Sequence, residues 1–138
     1  MLSKEPEYSS LKRLVSADVF TLEDNRRQEL HYVNNVLAKT VVRRSQCSME
    51  DFRKFLSDLL DKYGTPKVNG EAIENADVLS DIVSGKLKGK RTTAGSNVYE
   101  YTLEWRGSRT LGTLSFTIDL DKKIVSSLVF TKECGKPG

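Results

Sequence analysis

Residues 97–132 constrain the fold of this chain more than any other stretch. In three segments of this stretch, apolar side chains alternate with polar ones. A period of two residues is typical of a strand with one buried face and one solvated face. Two turn-forming connections, residues 106–110 and 121–123, separate the segments. The pattern predicts a three-stranded antiparallel meander with strands at residues 99–105, 111–120 and 124–131.

One face of the predicted meander is almost entirely apolar. Its residues are Tyr99, Tyr101, Leu103, Trp105, Leu114, Phe116, Ile118, Leu120, Ile124, Leu128 and Phe130. The other face is predicted to carry Thr113, Ser115, Thr117, Val125, Ser127 and Val129. Such a sheet is stable in water only when other elements cover its apolar face, so the rest of the chain must supply helices.

The clearest predicted helix spans residues 49–63. Ser48 precedes it as an N-cap, its apolar residues recur at helical spacing, and Gly64 and Pro66 end it. A shorter helix is predicted for residues 75–84, before Gly85.

The N-terminal third permits two interpretations. Residues 9–19 are predicted to form a short helix capped by Ser9 or Ser10. Residues 22–44 carry apolar side chains at helical spacing and predict a helix, but their β-branched ends also favour a hairpin. With helices there, the fold is α+β, with N-terminal helices packed on one face of a C-terminal antiparallel β-meander of three or more strands.

Length and composition limit the class of protein. The chain has 138 residues, a net charge of +3 and a pI of about 8.8. We expect a disordered leader at residues 1–8 and a single α+β domain at residues 9–138. No apolar run approaches the length of a membrane span. A cytoplasmic location is expected, or a periplasmic or secreted one if an export signal has been removed.

A basic segment between the second helix and the meander is the first candidate binding site. Four cations, Lys86, Lys88, Lys90 and Arg91, fall in a turn-rich segment that we expect to be exposed and mobile. Arg106 and Arg109 at the first meander turn extend this positive surface if the two segments lie close together. The alternative interpretation is a solvated loop and a turn protected by charge.

The two cysteines leave one question open. Cys47 precedes the clearest helix and Cys134 follows the last strand. A disulfide between them is one hypothesis and would indicate an oxidising compartment, whereas two free thiols are the other. Neither cysteine belongs to a metal-ligand motif, so we expect no metal site.

No constellation of catalytic residues stands out. His31 is the one histidine, and we expect a structural or surface role for it. Glu71, Glu74, Asp77 and Asp81 are interpreted as a solvated helix face. Trp105 would line a ligand groove if the helices left one end of the sheet open. We therefore expect no enzymatic activity and no cofactor.

One family resemblance rests on the helix end and the meander. Residues 59–66, Leu-Leu-Asp-Lys-Tyr-Gly-Thr-Pro, are followed by Tyr101, Trp105 and the run Phe-Thr-Ile-Asp-Leu-Asp at residues 116–121. This arrangement resembles small outer-membrane lipoprotein modules of the BamE (SmpA/OmlA) type, over about half the chain. The resemblance implies an envelope protein that acts by protein–protein contact. Cystatin-like and other helix-on-sheet folds fit the same pattern.

Three functions follow from the sequence. The leading hypothesis is a non-enzymatic protein-binding module, such as an adaptor, an inhibitor or immunity-type protein, or an envelope assembly factor. It would act through the sheet surface and the basic segment, on another protein or as a homodimer. The alternatives are a nucleic-acid-binding protein that uses residues 86–91, and a small-ligand binder or enzyme with a pocket near Trp105.

Overall fold

The structure is a computed structural model that describes residues 15–21, 26–73 and 77–134. The predicted leader and residues 9–14 of the predicted first helix lie outside these residues. In chain order the elements are β1 (Val15–Thr21), β2 (Arg26–Val33), β3 (Val36–Ser48), α1 (Met49–Tyr63), β4 (Lys67–Val68), β5 (Glu71–Ala72), α2 (Val78–Val83), β6 (Lys90–Arg91), β7 (Val98–Arg106), β8 (Thr110–Asp119) and β9 (Ile124–Cys134).

The N-terminal part of the described chain is a β-ribbon, so the predicted N-terminal helices are wrong there. β1, β2 and β3 pair in sequence as antiparallel strands. Asn34 and Asn35 join β2 to β3, with φ angles of 52° and 65°. A two-residue turn with both φ angles positive matches the twist of paired strands, and asparagine tolerates this conformation. Residues 26–44 therefore form a hairpin, as the alternative interpretation expected. The β-prone ends on which that interpretation rested do not pair with each other, because Val19 and Val41 both pair with Glu29 of β2.

The predicted meander is the middle of a larger sheet. All strand pairs are antiparallel, and the strand order is β1-β2-β3-β9-β8-β7-β4-β5, with β6 also paired to β7. β3 pairs with β9 over most of its length, which joins the N-terminal ribbon to the meander. The α+β class is confirmed, whereas the simple meander covered by N-terminal helices is not.

Helix α1 lies across the apolar face of the sheet, as predicted. The Ser48 hydroxyl accepts a hydrogen bond from the Asp51 amide at 3.1 Å, which caps the first turn. At the other end, Gly64 has a φ of 84° and donates its amide to the Leu60 carbonyl at 2.8 Å. Phe52 and Leu56 have no exposed area and pack into the core.

The core continues under α2 and across the centre of the sheet. α2 is shorter than predicted, and residues 75 and 76 of the predicted helix lie outside the described residues. Its Val78 and Ile82 join the same apolar cluster as α1. The sheet contributes Val68, Tyr99, Tyr101, Leu103, Trp105, Leu114, Phe116, Ile118, Val125, Leu128 and Phe130.

A bulge in β9 reverses part of the predicted inside–outside pattern. Val125 is fully buried in the core, so its predicted outward position is wrong, and so is the inward position predicted for Ile124. Ser127 has a φ of 53°, and the register of β8 with β9 shifts at this point. An extra residue in one strand changes which face the following side chains occupy. Beyond the bulge, Leu128 and Phe130 are buried as predicted.

No helix in the described part of the chain is long and apolar enough to cross a membrane.

Candidate functional site

The N-terminal ribbon, which we define as β1, β2 and residues 36–43 of β3, extends beyond the helical cover. None of its described side chains belongs to the apolar cluster formed by α1, α2 and the centre of the sheet. The ribbon is held instead by strand pairing, chiefly that of β3 with β9. Because its described side chains lie outside this cluster, the ribbon presents surface that takes no part in the apolar core.

Exposed apolar side chains of the described residues are concentrated on this ribbon. The large hydrophobic residues with high exposure are Val36 at 67%, Val19 at 50%, Phe20 at 45% and Leu37 at 38%. Val19 and Phe20 are consecutive in β1, so their side chains point to opposite faces of the sheet. Val36 and Leu37 lie beside the β2–β3 turn. Large apolar side chains that are exposed in one part of a protein surface are typical of an interaction surface.

The two edges of the sheet differ. Among the described residues, β1 pairs with β2 alone, which leaves seven residues of strand with one unpaired backbone edge. Asp18 is the one charged residue in that strand. At the opposite edge, β7 is paired by the short strands β4 and β6. Between them, the Thr102 amide donates to Asn69 Oδ1 at 2.7 Å, which extends the pairing. Of the two edges formed by the described strands, only the β1 edge offers a long strand for further pairing.

Opposite the helices, the ribbon carries a charged cluster around Glu29 that the sequence patterns did not reveal. Arg43 Nε donates to Glu29 Oε2 at 3.0 Å, and His31 Nε2 lies 3.0 Å from Oε1. Arg27 Nε lies 3.6 Å from Oε2. The pKa of Glu29 is lowered, chiefly by its hydrogen bond with His31. Burial raises this pKa in part, and Arg43 lowers it further. The histidine predicted on a helix therefore lies on a strand and contacts a carboxylate.

Glu29→Gln is expected to reduce the acid sensitivity of the fold. The folded-state pKa of Glu29 lies below its ordinary value of 4.5, so the unfolded chain binds more protons in the window between the two values. The contribution of Glu29 to stability is therefore present above that window and is lost as the pH falls through it. Urea unfolding between about pH 3 and about pH 6 should show that the free energy of unfolding falls less steeply with decreasing pH in the variant than in the wild type. Equal pH dependence in Glu29→Gln and in the exposed control Glu50→Gln would contradict this.

The basic segment is ordered by contacts with β7. Lys90 and Arg91 form β6 and pair with Glu100 and Tyr99, respectively. The Leu87 carbonyl accepts a hydrogen bond from the buried Tyr101 hydroxyl at 2.6 Å. All four predicted cations, Lys86, Lys88, Lys90 and Arg91, are exposed. The cations of the segment are therefore exposed as expected. Its backbone is hydrogen-bonded to the sheet, which the sequence did not indicate.

Tyr101→Phe is expected to destabilise the protein by about 1 kcal/mol, because it removes one hydrogen bond and leaves the Leu87 carbonyl without its partner. Amide hydrogen exchange in residues 86–91 should accelerate with it. Tyr99→Phe is the matched control, since the Tyr99 hydroxyl makes no hydrogen bond with the described residues. Unchanged exchange in the segment would show that the bond does not hold it.

The predicted basic surface is divided into two parts. Arg91 pairs with Tyr99 near the start of β7, whereas Arg106 ends β7 and Arg109 lies in the following turn. Arg106 lies seven residues beyond Tyr99, which is about 23 Å along an extended strand. Arg106 is also paired with Glu104 at 2.8 Å. The six candidate cations therefore do not form one continuous site.

The hypothesis of a Cys47–Cys134 disulfide is wrong. Cys47 pairs in register with Val125 near the start of β9, and Cys134 ends that strand nine residues later. That separation is about 30 Å along the strand, whereas bonded cysteines need Cα atoms within about 7 Å. Cys47 is a free, buried thiol, and burial raises its pKa.

Trp105 belongs to the core but borders a cleft. Its indole Nε1 donates to the Gly64 carbonyl at 2.7 Å and ties the end of α1 to β7. A cleft of about 330 Å³ lies beside it, also lined by Tyr63, Lys67 and Lys132. Among the described residues, no group of three or more His, Cys, Asp or Glu side chains is placed to hold a metal ion.

Comparisons of the chain with protein-family models, with curated proteins and with solved structures returned no match. The resemblance to BamE-type modules stays a prediction.

Proposed function

We propose that this protein is a protein-binding module whose N-terminal ribbon receives an extended segment of a partner protein. The observation that carries the proposal is the exposure of Val19 and Phe20 on β1, whose outer backbone edge is unpaired among the described residues. Val36 and Leu37 are also exposed, on β3 of the same ribbon. An extended segment that pairs with an edge strand gains affinity from backbone hydrogen bonds and selectivity from side-chain contacts. Val19 and Phe20 would supply such contacts on the two faces of β1.

A nucleic-acid-binding function has less support. The four cations of residues 86–91 and the two arginines near the first meander turn lie at opposite ends of β7. Lys90 is also directly opposite Glu100 in the strand pairing, which reduces its net positive field.

Affinity purification from the native host tests the proposal. Tagged wild-type protein is compared with Val19→Glu/Phe20→Glu, and with Ala72→Glu/Ser108→Glu as a control of equal charge on exposed positions away from the ribbon. A partner identified by mass spectrometry should be recovered by the wild type and the control and lost with the ribbon variant. Recovery of the same proteins by all three forms would contradict the proposal. A wild-type dimer that the ribbon variant does not form would identify a second copy as the partner.

A further inference from the structure

A second cleft lies between α1 and the helix-facing side of β2 and β3. Its volume is about 310 Å³. Val42, Phe55 and Leu128 form its apolar wall. The charged and thiol side chains that line it are Arg26, Arg44, Lys54, Asp51, Asp58 and Cys47. Three cations and two carboxylates leave this cleft with an excess of positive charge.

Two of the cations face each other directly. Arg26 and Arg44 are cross-strand partners in the pairing of β2 with β3, so their side chains leave the same face of the sheet. Like charges at such positions repel each other unless an anion lies between them. Arg44 has one ion pair, from its guanidinium to Asp51 Oδ2 at 3.0 Å. Among the described residues, Arg26 has no carboxylate within ion-pair distance.

In both arginines, the Nε–H donor is buried and has no acceptor among the described residues. The Nε atoms of Arg26 and Arg44 are the two buried side-chain nitrogen or oxygen atoms of the described residues without a hydrogen-bond partner. A buried N–H without an acceptor is unfavourable, and both such groups occur in the same cleft. No described residue supplies this acceptor. An oxyanion meets this need, because guanidinium groups bind its oxygens through paired N–H donors.

We propose that this cleft binds an oxyanion, the carboxylate or phosphate group of a small ligand, between Arg26 and Arg44. The group accepts hydrogen bonds from both Nε–H donors and lies within the field of Lys54. Asp51 and Asp58 offset most of the positive charge, which favours a group of low charge and an affinity in the millimolar range. This site is independent of the proposed protein-binding surface, because it rests on the two buried Nε–H donors and not on the exposed apolar residues.

Nuclear magnetic resonance of the arginine Nε–H groups tests the proposal directly. The full chain is titrated with inorganic phosphate and, separately, with acetate, each against sodium chloride at equal ionic strength. The Arg26 and Arg44 resonances should shift and saturate with a dissociation constant of about 1–10 mM for one of the two probes. The probe that binds more tightly distinguishes a phosphate from a carboxylate ligand. The exposed Arg53 and the Glu29-paired Arg43 should not saturate.

Variants complete the test. Arg26→Gln should weaken binding by at least about tenfold without disturbing the Arg44–Asp51 pair, whereas Arg53→Gln should bind as the wild type does. Arg44→Lys, which keeps the charge but lacks the Nε–H donor, should also weaken binding and serves if Arg26→Gln does not fold. Absence of saturable shifts, identical shifts with chloride, or wild-type binding by Arg26→Gln and Arg44→Lys would overturn the proposal.

Discussion

Replacing Phe52 with alanine is expected to lower the free energy of unfolding by about 3–5 kcal/mol. Phe52 has no exposed area, and its ring centroid lies 4.6 Å from that of Phe116 on β8. Truncation would leave a cavity at the centre of the contact between α1 and the sheet. The Phe116 ring also stacks on the Tyr101 ring, with 5.2 Å between the ring centroids. Because this contact holds Phe116 in place, its ring has little freedom to move into the cavity.

Urea and thermal unfolding measure this effect. For a chain of this size, the expected loss corresponds to a fall in Tm of roughly 10–20 °C. Arg53→Ala changes the next residue of the same helix, which is exposed, and should alter stability by no more than about 0.5 kcal/mol. A loss below about 1 kcal/mol for Phe52→Ala would mean that α1 does not cover the sheet as described.

Introducing charge at Val19 and Phe20 is expected to abolish most binding to the partner. Interface residues of high importance contribute about 2 kcal/mol or more each when truncated, so Val19→Glu/Phe20→Glu should weaken binding by about 100-fold or more. Folding should be little affected, because both side chains are about half exposed and lie outside the apolar core. Calorimetry with the purified partner, together with urea unfolding of each variant, separates these two effects.

The position of the added charge provides the control for this experiment. Ala72→Glu/Ser108→Glu adds the same charge at exposed residues away from the ribbon and should bind as the wild type does. Val36→Glu, near the β2–β3 turn, should weaken binding if the partner segment continues along the ribbon. Unchanged affinity in Val19→Glu/Phe20→Glu, or an equal loss in the control, would show that the ribbon is not the binding surface.

The candidate surface was only partly predictable because its residues fit two periodicities. Leu30, Val33, Leu37 and Val41 recur at helical spacing, yet each also lies in a β-prone segment. Asn34 and Asn35 were the local signal for a hairpin, since a two-residue turn with positive φ angles favours asparagine. No local sequence signal indicated that Val19 and Phe20 are exposed, because their exposure depends on which part of the sheet α1 covers.

The Arg26–Arg44 cleft was beyond prediction for a related reason. The two residues lie 18 positions apart and become neighbours only through the register of β2 with β3. The same register places Glu29 beside Arg43. Cross-strand neighbours depend on register, and a shift of one residue would have placed these side chains on opposite faces.

The sequence by itself determined the elements whose signals are local. The Ser48 cap, the apolar spacing of α1 and the Gly64 terminus lie within 17 residues, and the period-two segments of β7 and β8 are equally short-ranged. Tertiary structure alone decided the rest. The pairing of β3 with β9 made the N-terminal ribbon part of the sheet, the length of β7 separated the basic residues, and the direction of β9 kept Cys134 far from Cys47. These outcomes depend on contacts between residues far apart in the chain, which short-range periodicity does not encode.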